Sequence, residues 1–260
     1  MKHKVRIIAL VTTCVFLNSP IHASAPPIEF TPAQQAEIGR IAAEYLVSHP
    51  EVIVQANQKL QQQQQELEQK VYALKVMEHQ KALVSDMDSP TTGPDSGKVT
   101  VVQFFDYQCK YCSLLAPVME EVMQESADVR FVFKDWPIFA GTWINSRNAA
   151  IRGLSVWKER GPRAYQIFHN SLFKTRHING DLSIQDIDGA ANAAGYVASS
   201  TNEYSDVLER NDQLAQSLGL TGTPGVIVMP TTNPIPSLIT VFPGVPTKEK
   251  LLAAIQKAGR

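Results

Sequence analysis

Cys109 and Cys112, two residues apart, have the residue type and spacing for thiol chemistry. They follow the apolar run Val99-Thr100-Val101-Val102-Gln103-Phe104-Phe105 and open a helical pattern. A thiol at a helix N-terminus faces free backbone N–H groups and the positive end of the helix dipole, which favour its thiolate. The thiolate is the form that attacks a disulfide, and a second thiol two residues on can close a ring on the first. The same spacing also admits a short structural disulfide or half of a metal site. A four-ligand zinc site is disfavoured, because no second cysteine pair or nearby histidine cluster accompanies the two thiols. His169 and His177 have no carboxylate or thiol at ligand spacing and read as surface or satisfied helix histidines.

The third cysteine, Cys14, falls in a segment expected to leave the mature protein. Lys2, Lys4 and Arg6 precede the apolar stretch Ile7–Leu17, and Ala23-Ser24-Ala25 supplies a small-x-small cleavage signal. Together they read as a secretory signal peptide over residues 1–25. The stretch is too short to span a bilayer, and Cys14, early and after Thr12-Thr13, is a poor lipidation site. Cleavage after Ala25 leaves 235 residues (260 − 25). The 24 Lys+Arg fall to 21 (24 − 3) against 25 Asp+Glu, a net charge of −4 that gives no argument for nucleic acid. An exported protein stapled by disulfides carries more cysteines at scattered spacings. One close pair fits a working dithiol.

Residues 26–88 are polar, Gln-rich and helical in pattern. Thr31 and Pro32 read as an N-cap and first helical position, and Ile38, Ile41, Ala42, Tyr45 and Leu46 form one apolar face. A longer helix from Pro50 carries Ile53, Leu60, Leu67 and Leu74 every seven residues, with Ala56 and Met77 at two of the intervening core positions of the heptad. Gln63 and Lys70 interrupt the heptad, which suits a partner helix better than a long coiled coil. The Gln61–Gln65 run is read as helix, since the apolar period continues through it. Self-association is the simplest way to cover this stripe, and docking onto the chain's own catalytic domain is the alternative.

Residues 89–97 are rich in Pro, Gly and Ser and read as a linker. Beyond them the pattern predicts a strand over Val99–Phe105 and a helix from Cys109 to about Ser126, kinked at Pro117. A strand follows over Val129–Phe133, ended by Asp135-Trp136-Pro137. Helical signal then runs over about 143–218, with breaks at Gly161-Pro162, Asn179-Gly180 and near Gly195. Val226–Met229 and Leu238–Val241 read as strands, and Thr247 caps a last helix to Ala258. Trp136, Trp143 and Trp157 read as core and groove-lining residues.

A strand ending Phe104-Phe105-Asp106-Tyr107, then Cys109-x-x-Cys112, about 75 helical residues, Thr221-Gly222-Thr223-Pro224 before a strand and a terminal Phe242-Pro243-Gly244 resemble the DsbA-like thiol–disulfide oxidoreductases. The resemblance covers roughly residues 95–260, and residues 26–88 look like the extension of ScsC-type proteins and dimeric DsbA variants. It implies an α/β class, a thioredoxin fold over 98–260 with an inserted helical domain, preceded by an all-helical oligomerisation segment. It also implies that Cys109 is the nucleophile and Cys112 the resolving thiol, and that Pro224 is a cis proline beside them, with Thr223 offering backbone groups to a substrate strand. The family often has a buried acid six residues before the nucleophile. Here Gln103 stands there and cannot ionise. Lys134 and Asp106 are the nearby candidates for part of that role, Asp106 being read as a solvated charge. Lys110 is expected to favour the Cys109 thiolate electrostatically, and Tyr111 is similar to its counterpart in dimeric isomerases.

The expected protein is therefore a periplasmic thiol–disulfide oxidoreductase and isomerase, a homodimer through residues 26–88. Its partners would be unfolded or misoxidised exported proteins and a membrane redox protein that recycles the dithiol. It would need no cofactor beyond the Cys109–Cys112 disulfide and no metal. The alternatives are a dedicated disulfide oxidase, or a Cu(I)-binding or scaffold protein of the envelope using the same dithiol.

Overall fold

The computed structural model describes residues 29–197 and 204–260. The expected signal peptide over residues 1–25, with Cys14, lies outside the described residues. The chain divides into two units between Gln58 and Lys59.

The first unit holds helix α1 (Pro32–Ser48) and the start of α2 (Glu51–Glu78). α1 starts with a reciprocal cap. The Gln34 N–H donates to Thr31 Oγ1 at 3.3 Å, and the Thr31 N–H donates to Gln34 Oε1 at 2.9 Å. None of its residues is buried, and Ile38, Ile41, Tyr45 and Leu46 stay exposed.

In the second unit a five-stranded sheet runs in the order β1-β3-β2-β4-β5. The strands are β1 (Thr91–Thr92), β2 (Val99–Phe105), β3 (Arg130–Asp135), β4 (Gly225–Pro230) and β5 (Thr240–Pro243). β2 and β3 pair in parallel, and every other pair is antiparallel. All seven residues of β2 are buried, as a central strand covered on both faces requires. Its alternation splits the core in two. Val99, Val101 and Phe105 pack with α4 (Lys110–Glu125), α5 (Ile144–Lys174), α6 (Ile184–Ala193) and α8 (Lys248–Ala258). Val102 and Phe104 pack with the end of α2, α3 (Gln80–Val84) and α7 (Ser205–Leu218). The helices α5–α7 form the insert between β3 and β4. α5 breaks at Gly161 (φ 77°), directly before Pro162, as the sequence predicts. α4 runs through Pro117 as one helix.

Two expected boundaries move. Residues 59–88 belong to the second unit, because Ala73, Val76, Leu83 and Val84 bury against the sheet. The Gln69 side chain also takes both backbone groups of edge residue Val241, accepting from its N–H at 3.1 Å and donating to its carbonyl at 2.7 Å. That contact covers an open sheet edge as another strand would. The opposite stripe of α2, Leu60, Leu67 and Leu74, remains exposed. The expected linker 89–97 carries β1, whose Thr91 and Thr92 pair with Val132 and Phe131.

Candidate active site

β2 ends at Phe105, and the next four residues turn the chain into α4 with Cys109 as N-cap. The turn is an Asx turn: the Asp106 carboxylate accepts the Gln108 N–H at 2.8 Å. Cys109 makes no side-chain cap to its own helix, so the first N–H groups of α4 remain available to its sulfur. Its thiol donates to the Thr223 carbonyl at 3.3 Å, and the Thr223–Pro224 peptide bond is cis. The structure thus brings together Cys109, Cys112, Thr223 and Pro224 from two distant segments.

Both cysteines are free and buried. The Cys109 pKa is lowered from 9.0 to about 6, chiefly by a hydrogen bond from the Cys112 thiol. Burial opposes this, while Thr223 and the N–H groups of Cys112 and Tyr111 add to it. Burial pushes the Cys112 thiol well above its ordinary value, and the neighbouring Cys109 pushes it further. One thiol is set to be ionised and the other to hold its proton. Lys110 is exposed at the start of α4, directly after Cys109. Tyr111 is also exposed and borders a cleft with Thr221–Pro224 and Pro243–Val245.

Asp106 is not solvated. Only 2% of it is exposed, and its carboxylate also accepts Ser146 Oγ at 2.5 Å and the Phe139 N–H at 3.0 Å. Burial raises its pKa against these hydrogen bonds. Lys134 is on the sheet face away from α4, where its ammonium meets Asp86 at 2.7 Å. Burial pulls Lys134 down while Asp86 resists. For Asp86, burial raises the pKa but the Lys134 hydrogen bond and charge outweigh it, so the net shift is downward. Gln103 shares the α4 face by alternation, is buried, and neither amide atom has a protein partner.

Sequence reasoning missed two residues. Gln108 is wholly buried and ties the turn to the insert. Its carbonyl accepts from the Asn179 N–H at 3.0 Å, its Oε1 from the Gly180 N–H at 2.8 Å, and its Nε2 donates to the Trp143 carbonyl at 3.4 Å. Gly180 needs its lack of a side chain, because φ is 105° and a Cβ would lie 2.9 Å from Trp143 Nε1. Asp135 pairs in register with Phe105 and is fully buried, with neither carboxyl oxygen hydrogen-bonded. Burial, then Asp106, raises its pKa strongly, which favours its protonated form. The Asp106-to-Gln108 spacing was a readable turn signal. Nothing in the sequence marked Asp135 as facing the core.

His169 is a satisfied histidine, as expected: it is buried, 3.2 Å from the Tyr107 hydroxyl, and burial lowers its pKa to about 3. His177 is exposed and does have a carboxylate partner, Asp186, at 2.9 Å, brought close across nine residues by the turn before α6. Trp136 is buried and donates to Asp212 at 2.7 Å, while Trp143 and Trp157 are half-buried. No group of three or more His, Cys, Asp or Glu able to hold a metal occurs among the described residues.

Comparison with known proteins is consistent with this geometry. Residues 34–66 match the N-terminal domain of the copper resistance protein ScsC. The crystal structure of Salmonella enterica Typhimurium BcfH is 36% identical with a TM-score of 0.73, covering 88% of this chain and 97% of that one. Proteus mirabilis ScsC in a transitional conformation is 28% identical with a TM-score of 0.60, over 88% and 96% of the two chains. Disulfide bond formation protein D of Bacillus subtilis (strain 168) is 36% identical over 89 residues, or 33% of this chain and 38% of that protein's length. A DSBA-like thioredoxin domain is matched over residues 100–256, more than half of the 260 residues, and the protein therefore belongs to that family.

Proposed function

We propose that the protein is an exported thiol–disulfide oxidoreductase that forms and isomerises disulfides in envelope proteins through Cys109-Lys110-Tyr111-Cys112. The observation that carries this reading is the asymmetric dithiol: Cys109 lowered to about 6 beside a Cys112 held protonated, against the carbonyl of Thr223. In the oxidised form a client thiolate attacks Cys109 Sγ, the Cys109–Cys112 bond breaks, and Cys112 leaves and takes up a proton. A second client thiolate attacks the client sulfur of the mixed disulfide and releases Cys109 as a thiolate, a good leaving group because of its low pKa. The client loses two electrons and two protons, and the protein dithiol gains the electrons. A membrane redox partner restores the disulfide. In the dithiol form the Cys109 thiolate instead attacks wrong client disulfides and allows them to reshuffle.

The exposed stripe of α1 and α2 supports self-association through the N-terminal helices as a homodimer. Two joined sites raise the effective concentration of a bound client, which favours isomerisation. The signal-like residues 1–25 support a periplasmic location for this chemistry. The test is insulin reduction and refolding of a scrambled disulfide protein, wild type beside Cys109→Ala, with sedimentation of the wild type. Wild type active in both assays and the variant in neither is the expected result. Insulin reduction without reshuffling would remove isomerisation from the reading, and a monomer would overturn the dimer. A second reading, Cu(I) held by the dithiol, draws on the match of residues 34–66 to a domain of a copper resistance protein. It requires one copper per reduced chain and none in Cys109→Ser.

A further inference from the structure

Surfaces on both sides of the nucleophile are open to a client, and the chemistry above engages only the one beside Pro224. On the other side, α4 and the end of α5 enclose a groove with an apolar floor that includes Leu114, Pro117 and Phe173. Leu114, two residues beyond Cys112, is 54% exposed there. Lys110, Lys174 and Arg176 stand on its rim. Of the lining residues only Glu120 is acidic, and Lys174 faces it at 3.7 Å. Lys110 and Arg176 form no ion pair among the described residues. Arg176 is held at φ 59° in the turn after α5, where its N–H donates to the Phe173 carbonyl at 3.1 Å. The groove thus keeps two cations without a protein counter-charge above an apolar floor.

We propose that this groove docks the client segment beside the reacting cysteine and selects an apolar side chain accompanied by an acidic one. The inference rests on the oxidoreductase reading. Lys110 directly follows Cys109, so a client sulfur bonded to Cys109 carries its neighbouring residues over the groove. The floor supplies apolar area to a Leu-sized side chain, and the rim complements a carboxylate, which chiefly sets specificity and the rate of encounter.

The test uses the oxidised full-length protein and short two-cysteine peptides whose first cysteine is flanked by Leu-Asp, Leu-Lys, Ser-Asp or Ser-Lys. The rate of peptide disulfide formation is divided by the rate at which the same protein oxidises dithiothreitol, which is too small to need the groove. Leu-Asp should exceed Leu-Lys by up to about fivefold at low salt, the range of an exposed ion pair, and the ratio should shrink in about 0.5 M salt. Arg176→Glu should abolish or invert the Asp preference, and Leu114→Ser should remove the Leu preference. Equal rates for Leu-Asp and Leu-Lys, or an Asp preference that survives Arg176→Glu, would overturn the groove. A wild type that fails to oxidise dithiothreitol would overturn the redox reading instead.

Discussion

α1 and α4 are both amphipathic helices with an N-cap of the β conformation, and they are finished in opposite ways. At α1 the Thr31–Gln34 box satisfies the helix start, while none of the helix's residues is buried. At α4 the sides are consumed: Cys112, Leu115, Ala116, Met119 and Val122 are buried, but Cys109 makes no cap. The N–H groups that a threonine would satisfy face a sulfur. The contrast separates two uses of one element. Where the fold completes the sides and leaves the end, the end can do chemistry. Where it completes the end and leaves the sides, the sides can hold a partner.

Replacing the N-cap of α4 tests the first half of that contrast and has the largest expected effect. Cys109→Ala and Cys109→Ser should both abolish disulfide exchange. They should differ in stability, Ser exceeding Ala by about 1 kcal/mol, because a hydroxyl can take the N–H groups the thiol leaves. Urea unfolding of the two variants reads this directly. Equal midpoints would mean that the start of α4 has no free donors to offer.

Truncation separates the helices that hold a partner from those that complete the core. Removing residues 29–58 should leave dithiothreitol oxidation near wild type and lower scrambled-protein refolding. Removing residues through Asp88 should unfold the enzyme, since it strips Leu83 and Val84 from the core and leaves Lys134 buried without Asp86. The single change Asp86→Ala isolates the last term and should cost about 3–5 kcal/mol. A cost below about 1 kcal/mol would show that Lys134 finds water or another partner instead.

The sequence was most legible where one residue type has one backbone use. The Thr31-Pro32 start, the Gly161-Pro162 break, the mostly apolar β2 and the Thr247 cap could be read because propensity and tertiary packing agree there. The dithiol was legible for the same reason: a strand, a turn and a helix were all written locally. What stayed hidden depended on which face a residue takes in the sheet. Lys134 and Asp135 are neighbours in sequence, yet alternation sends one to Asp86 and the other toward Phe105 and Tyr107. No local pattern distinguishes a charged residue that will be buried from one at a solvated strand end. The boundary at 88 was misplaced likewise, because α2 carries two apolar stripes and only packing shows which one the core takes.

The pH dependence of Cys109 is the next smaller effect. Its pKa is depressed in the fold, from 9.0 to about 6, so ionisation stabilises the reduced protein fully above pH 9 and that stability is lost as pH falls through 6. At pH 7 the gain is about 1.4 kcal/mol, one unit of pH above the folded midpoint. The oxidised protein lacks this thiol, so the stability gap between the two forms should shift toward the dithiol by that amount between pH 5 and 7. Iodoacetamide labelling should show a midpoint near 6 in wild type and a higher one in Cys112→Ala, since Cys112 supplies the largest lowering. An unchanged midpoint would assign the acidity to the helix start alone.

Thr31→Ala acts at the other helix start and should be felt only in association. It removes the side-chain acceptor for the Gln34 N–H, which costs an N-terminus about 1 kcal/mol. No residue of α1 is buried in its own chain, so that cost should not reach the urea midpoint of the second unit or the labelling of Cys109. It should appear where α1 is ordered by a partner, as a roughly fivefold weaker self-association in sedimentation, the equivalent of 1 kcal/mol. Refolding of scrambled protein should fall only at concentrations near the dissociation constant. If Thr31→Ala weakened dithiothreitol oxidation instead, the two helices would not be independent, and the division between a chemical end and an adhesive side would fail.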